Sequence, residues 1–190
     1  MINGMKVCSN LWLTFFVLWI LAGLRTKRTV QQVRWAQRLF YTIPAVLGFY
    51  CMFMMEIDIP WLQKRILPRS PALAVAAIVI TLAGMALAVW ARVHLGRNWS
   101  SVVTVKEQHQ LIRSGPYRSV RHPIYTGLIL AMAETAFANG KVRGVLGVLL
   151  VWFGFLVKSR IEEQFMTHTF GPDYDNYHRT TGALFPRLRG

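Results

Sequence analysis

Residues 115–127 read GPYRSVRHPIYTG, and this stretch decides how the chain is organised. Gly115, Pro116 and Pro123 interrupt regular backbone, while Tyr117, Arg121, His122 and Tyr125 crowd recognition groups between a basic loop and an apolar run. Pro123 stands where a first-turn proline would start a helix. From there to Gly140 the only charged residue is Glu134. The pattern predicts a membrane helix beginning at Pro123, with polar donors gathered at its mouth.

Working outward, the chain of 190 residues is 54% hydrophobic with a mean hydropathy of +0.34, yet carries a formal charge of +14. A soluble domain rarely combines these. Val7 to Leu24, Leu39 to Met55 and Ser70 to Ala91 contain no Asp, Glu, Lys or Arg, and each approaches the ~20 residues a helix needs to cross hydrocarbon. Gly144 to Val157 is a shorter fifth candidate whose uncharged run covers only ~21 Å at the helical rise. The predicted fold class is an all-α integral membrane protein of about five transmembrane helices, with a long loop before the fourth and a C-terminal tail helix.

The basic residues supply the topology, because cytoplasmic loops accumulate Lys and Arg. On one side fall Arg25, Lys27, Arg28, Arg34 and Arg38, the run from Arg92 through Arg97, Lys106, Arg113, Arg118 and Arg121, and Lys158, Arg160, Arg179, Arg187 and Arg189. The other side holds Lys6, Lys64, Arg65, Arg69, Lys141 and Arg143. Sixteen against six places the N-terminus outside and the C-terminus in the cytoplasm. Membrane topology thus accounts for the charge better than nucleic-acid binding does. The first span is read as a retained helix, since its basic cluster follows the apolar run, opposite to a signal peptide. Cys8 and Cys51 lie in apolar segments without metal-ligand spacing, and His94, His168 and His178 have no convincing metal partner, so no metal is expected.

No repeat or soluble insertion appears, so one membrane domain is expected over 1–190. The inner loop before Pro123 and the tail after Val157 have room for chemistry. The loop reads LGRNWSSVVTVKEQHQLIRSGPYRSVRHPIYTG from Leu95 to Gly127, and the tail reads RIEEQFMTHTFGPDYDNYH from Arg160 to His178. Together these resemble the isoprenylcysteine carboxyl methyltransferase family, including its prokaryotic members, and more distantly the phospholipid N-methyltransferases. The likeness covers roughly residues 72–186 and implies a family-like catalytic core in 72–190, preceded in 1–71 by two variable spans that match only in being hydrophobic. It implies S-adenosyl-L-methionine as cofactor, held by a cytoplasmic cofactor-binding loop and the C-terminal helix, a lipophilic or prenylated acceptor, and residence in a prokaryotic inner membrane.

The residues suit that role on chemical grounds. The cofactor presents a carboxylate, an ammonium, a sulfonium and an adenine. The helix start at Pro123 and Ile124, with His122 beside it, can receive the carboxylate, and the Tyr117 and Tyr125 rings can face the sulfonium. Glu162, or Glu163 one position on, can take the ammonium from a tail helix returning to the same face. By resemblance, His109, Leu111 and Ile112 form the adenine slot. Each has a plainer reading beside it: the tyrosines as interface aromatics, Arg121 as a topology charge or lipid contact, the two glutamates as solvated residues opening an amphipathic helix. Glu134 is either a packing group or a pocket residue.

For the reaction itself, the resemblance implies a carboxylate acceptor oriented by a cation. Family members place an arginine one helical turn before the glutamate that matches Glu162; here Lys158 stands there, with Arg160 as the alternative. An ammonium lacks the bidentate fork of a guanidinium, so a phospholipid amine or hydrophobic thiol is the second acceptor class. A nicotinamide-dependent reductase of the related sterol type and a non-catalytic lipid-binding protein are further alternatives.

Overall fold

A computed structural model describes residues 3–23, 28–54, 59–107 and 110–187. Arg25, Lys27, Arg189 and the adenine-slot candidate His109 lie outside the described residues. Helix α1 runs Gly4–Gly23, strand β1 Thr29–Gln32, α2 Trp35–Phe53, a single turn α3 Pro60–Gln63, and α4 Pro71–Leu95. After a 3₁₀ turn at Gly96–Asn98 come β2 (Thr104–Lys106), a second 3₁₀ turn at Gly115–Arg118, α5 (Pro123–Asn139), α6 (Val142–Phe170) and α7 (Pro172–Thr180).

The five expected spans correspond to α1, α2, α4, α5 and α6. Of these, α1, α4 and α6 are long and apolar enough by themselves to cross a membrane. Leu13, Leu18, Ile20, Phe40, Val79 and Leu149 stay exposed along their helices, as side chains facing lipid would. Inside the bundle lie Trp12, Met52, Met85, Met132 and Val151. Where lipid is as apolar as the core, close packing rather than water exclusion holds helices together. The Gly84–Gly127 crossing of α4 on α5 shows this: a Cβ on Gly127 would sit 2.4 Å from the Gly84 carbonyl oxygen. Trp12 Nε1 donates to Thr135 Oγ1 at 3.0 Å, tying α1 to α5 through a buried polar pair.

Two features differ from the expectation. The fifth span is not short. With no Gly or Pro between Phe155 and Phe170 to break it, α6 continues for 29 residues, or ~44 Å, well beyond the ~30 Å of hydrocarbon. Lys158, Arg160, Glu162 and Glu163 are therefore the extension of a span, and Glu162 does not open a separate tail helix. The tail helix is α7, turned off α6 at Gly171 with φ +51°. Second, the two inner connections pair: β1 and β2 form an antiparallel ribbon, Gln31 opposite Val105, extended by Val33 N–H to Val103 O at 3.1 Å.

This pairing, with the Arg121 N–H to Gly182 O bond, gathers residues 28–34, 96–107, 110–122 and 171–184 at one end of the bundle. The 59–71 connection and the α5–α6 turn meet at the other, where Ile66 N–H donates to Gly140 O at 2.8 Å. The two loop sets are those separated by the count of basic residues.

Candidate active site

At the end where α5 begins, a cavity of about 240 Å³ opens between residues 95–104 and 110–122, the start of α5 and the extension of α6. Its framework starts at Gly115. That residue takes φ +58°, and a Cβ there would fall 2.8 Å from the His94 ring, which itself lies over Tyr117 with centroids 6.5 Å apart. Glycine thus lets the loop close on α4 and turns the buried Tyr117 ring into the cavity wall. The Tyr177 hydroxyl of α7 donates to the Tyr117 carbonyl at 2.7 Å. Burial pushes the Tyr177 phenol up to about 12, and burial likewise raises Tyr117 and Tyr174, so all three stay neutral at physiological pH.

Next in the chain, Arg121 and His122 are anchored through their backbones by the tail. Their N–H groups donate to Gly182 O at 2.8 Å and Ala183 O at 3.0 Å, and Thr126 Oγ1 donates to Leu184 O at 2.6 Å. Arg121 is 9% exposed; its Nε donates to Glu163 Oε1 at 2.7 Å, and its Nη1 reaches the carbonyls of His178 and Thr181. It is a buried clamp between α5, α6 and α7, not a surface topology charge.

His122 lies between two carboxylates, with Nε2 3.1 Å from Glu163 Oε1 and Nδ1 3.5 Å from Glu162 Oε2. Burial disfavours the imidazolium, but hydrogen bonds and charge from both glutamates outweigh it and raise the His122 pKa. Beneath it, the Tyr125 hydroxyl donates to Glu162 Oε2 at 2.7 Å. The His122, Tyr125 and Phe155 rings form a continuous stack, with centroids 5.3 Å and 4.8 Å apart. Lys158, one turn before Glu162, donates to Ser101 O at 2.8 Å, and its Nζ lies 5.2 Å from the Tyr125 ring centroid and 5.5 Å from that of Tyr41.

Of the residues singled out in the sequence, Leu111, Ile112, Tyr117, His122, Ile124, Tyr125, Lys158 and Glu162 line this one cavity. Pro123 is buried at the first helical position behind them. Arg160 is exposed and does not line it, because it is two residues from Lys158 and points elsewhere around the helix. Glu134, far along α5, does not line it either. His122 and Glu162, assigned from the sequence to the cofactor's carboxylate and ammonium, also lie 3.5 Å from each other.

Several participants were not visible as such. Trp19, Trp99, Phe155 and Tyr174 line the same cavity. The Arg92 guanidinium lies over both Trp19 and Trp99, 4.2 Å and 3.7 Å from their ring centroids, the two indoles meeting edge to face. Glu163, weighed only as a register alternative, is the hub joining Arg121, His122 and His178. The adjacent pair Glu162–Glu163 beside RHP was the available signal: neighbouring helix positions can serve different partners. Among the described residues no group of three or more His, Cys, Asp or Glu is arranged to hold a metal ion.

A helical bundle of membrane-crossing length with a polar, aromatic-walled cavity at one end defines an integral membrane protein with its site at a bilayer surface. Residues 76–168, from within α4 nearly to the end of α6, match the isoprenylcysteine carboxyl methyltransferase (ICMT) family. The chain is 31% identical over 112 residues to a probable protein-S-isoprenylcysteine O-methyltransferase of Oryza sativa subsp. indica, covering 57% of this chain and 59% of the relative. It is 28% identical over 153 residues to the protein-S-isoprenylcysteine O-methyltransferase of Rattus norvegicus, covering 79% and 52%. The chain thus spans little more than half of these relatives. Its fold is similar to that of a eukaryotic intramembrane Ras methyltransferase ICMT, with a TM-score of 0.57 at 23% identity over 83% of this chain and 55% of that one.

Proposed function

We propose that this protein is an S-adenosyl-L-methionine-dependent membrane methyltransferase whose acceptor is the carboxylate of a lipophilic molecule, such as an isoprenylcysteine. The observation that carries this reading is the convergence of Glu162, Tyr125, His122 and Lys158 on one cavity at the membrane surface. The family match and the names of the relatives support it.

The wall chemistry fits the cofactor. Glu162 offers an anion and the Tyr125–Phe155 stack an electron-rich face to positive groups. Leu111, Ile112 and Trp99 supply an apolar slot for an aromatic base, and Gln110, Ser100 and Thr104 supply polar contacts. When bound, the cofactor supplies an electrophilic methyl group, so the residues need chiefly to orient and desolvate. Tyr125 fixes the Glu162 carboxylate, His122 and Arg121 fix Glu163, and Lys158 places positive charge where an acceptor carboxylate would be held. Because a carboxylate nucleophile is already ionised, no general base is required.

Lys158 is also the observation that favours a second acceptor class. Its ammonium is already engaged by the Ser101 carbonyl and lies over two tyrosine rings, leaving less of it to steer an anion, so a hydrophobic thiol or phospholipid amine is the alternative. The deciding experiment is transfer of labelled methyl from S-adenosyl-L-methionine by the purified protein in detergent. A prenylcysteine carboxylic acid, a lipid amine and an alkyl thiol would be offered in parallel. Label in a base-labile ester of the acid is expected. Label only in amine or thiol products would replace the acceptor, and no label in any would favour a non-catalytic protein. The charge asymmetry supports an orientation with this site in the cytoplasm and the N-terminus outside.

A further inference from the structure

The other end of the bundle carries a second cavity, of about 480 Å³, where the amino termini of α1, α4 and α6 meet. Arg65, Arg69, Lys141 and Arg143 line it, and no described Asp or Glu does. Three helix starts add their partial positive charge to four cations, which makes this a concentrated positive potential. Burial, and then Arg143, Arg65 and Arg69, hold the Lys141 ammonium below its ordinary value, so these cations repel one another and an anion among them would relieve the repulsion.

The cluster is also positioned by local structure. Arg65 donates to the carbonyls of Leu67 and Asn139, each at 3.1 Å, and Lys141 to Gln63 Oε1 at 2.8 Å. Arg69, exposed at the rim, makes no hydrogen bond or ion pair among the described residues. Leu73 and Phe137, 43% and 52% exposed on the lipid-facing surface, line the same cavity. A positive pocket with an apolar flank open to lipid matches a phosphate carried on acyl chains better than a free ion.

We propose that this cavity binds the phosphate of an anionic phospholipid, with the acyl chains along Leu73 and Phe137. The inference is independent of the methyl-transfer reading, and its test needs no activity. The full chain in detergent would be offered dioleoylphosphatidylglycerol and dioleoylphosphatidylcholine and the retained lipid counted by native mass spectrometry. Melting would be followed in parallel with inorganic phosphate. Retention of the anionic lipid is expected to exceed that of the zwitterionic one about tenfold and to fall about fivefold in Arg69→Gln. Lys64→Gln, a neighbouring cation outside the cavity lining, is expected to leave retention unchanged. Equal retention of both lipids, or the same loss in both variants, would overturn the site. Stabilisation by inorganic phosphate that Arg69→Gln abolishes, without selective lipid retention, would overturn the lipid and leave a soluble phosphate as ligand.

Discussion

The Tyr125 hydroxyl donates a 2.7 Å hydrogen bond to Glu162 across the α5–α6 interface. The accepting oxygen, Oε2, also lies 3.5 Å from His122 Nδ1. One carboxylate oxygen therefore links the first turn of α5 to the extension of α6, and the cavity wall depends on that link.

Tyr125→Phe keeps the ring stacked on Phe155 and removes only the donor. On the proposed assignment, affinity for S-adenosyl-L-methionine falls by about 1.5–3 kcal/mol, the scale of a hydrogen bond to a charged group. Titration calorimetry on the folded variant checks this, and unchanged affinity would separate Glu162 from cofactor binding.

His122 predicts a pH dependence. Its folded pKa is raised above the ordinary 6.5 despite burial, through Glu162 and Glu163. The stabilisation it contributes is fully present below that ordinary value and is lost as pH rises through the folded one. Melting temperature in detergent is expected to decline from pH 6 toward alkaline pH, and the slope to flatten in His122→Gln. An unaltered slope would mean that another group titrates.

Lys158→Ala is expected to lower turnover of a lipid carboxylic acid while leaving cofactor affinity nearly intact, and Lys158→Arg to preserve or raise it through bidentate geometry. The lost bond to the Ser101 carbonyl also loosens the loop beside it, so KM rises in the alanine variant. Steady-state kinetics at saturating cofactor resolves the two effects. Full activity of Lys158→Ala on a carboxylic acid would end the steering role.

Orientation is testable at Ser101, whose residue is exposed beside the cavity. A single cysteine placed there is expected to resist an impermeant thiol reagent in intact cells and to react after lysis. Reaction in intact cells would reverse the topology and put the cavity outside.

Much of the site was legible because its signals are local. Pro123 after a polar loop announces a helix start, and Tyr117, His122 and Tyr125 lie within one turn or two of it. Lys158 and Glu162, four apart on a helix, share a face by periodicity alone. The His122–Glu162 contact was not legible, since it depends on α6 continuing past the membrane and docking against the α5 amino terminus. Nor was the strap formed by Gly182, Ala183 and Leu184, whose contribution is backbone carbonyls that any sequence carries.

By itself the sequence determined the membrane-embedded helical architecture, the two sets of loops and the residue types available at the site, because hydropathy runs, charge asymmetry and helix starts are properties of neighbouring residues. Tertiary structure decided which faces meet. Trp12 is buried while Leu13 beside it faces outward, and both are apolar, so hydropathy cannot orient a helix whose solvent and core are alike. Close approach at Gly84 and Gly127 sets α4 against α5. The pairing of Arg121 with Glu163 and the meeting of Arg65, Arg69, Lys141 and Arg143 follow from how the chain folds back on itself, over separations that no local pattern records.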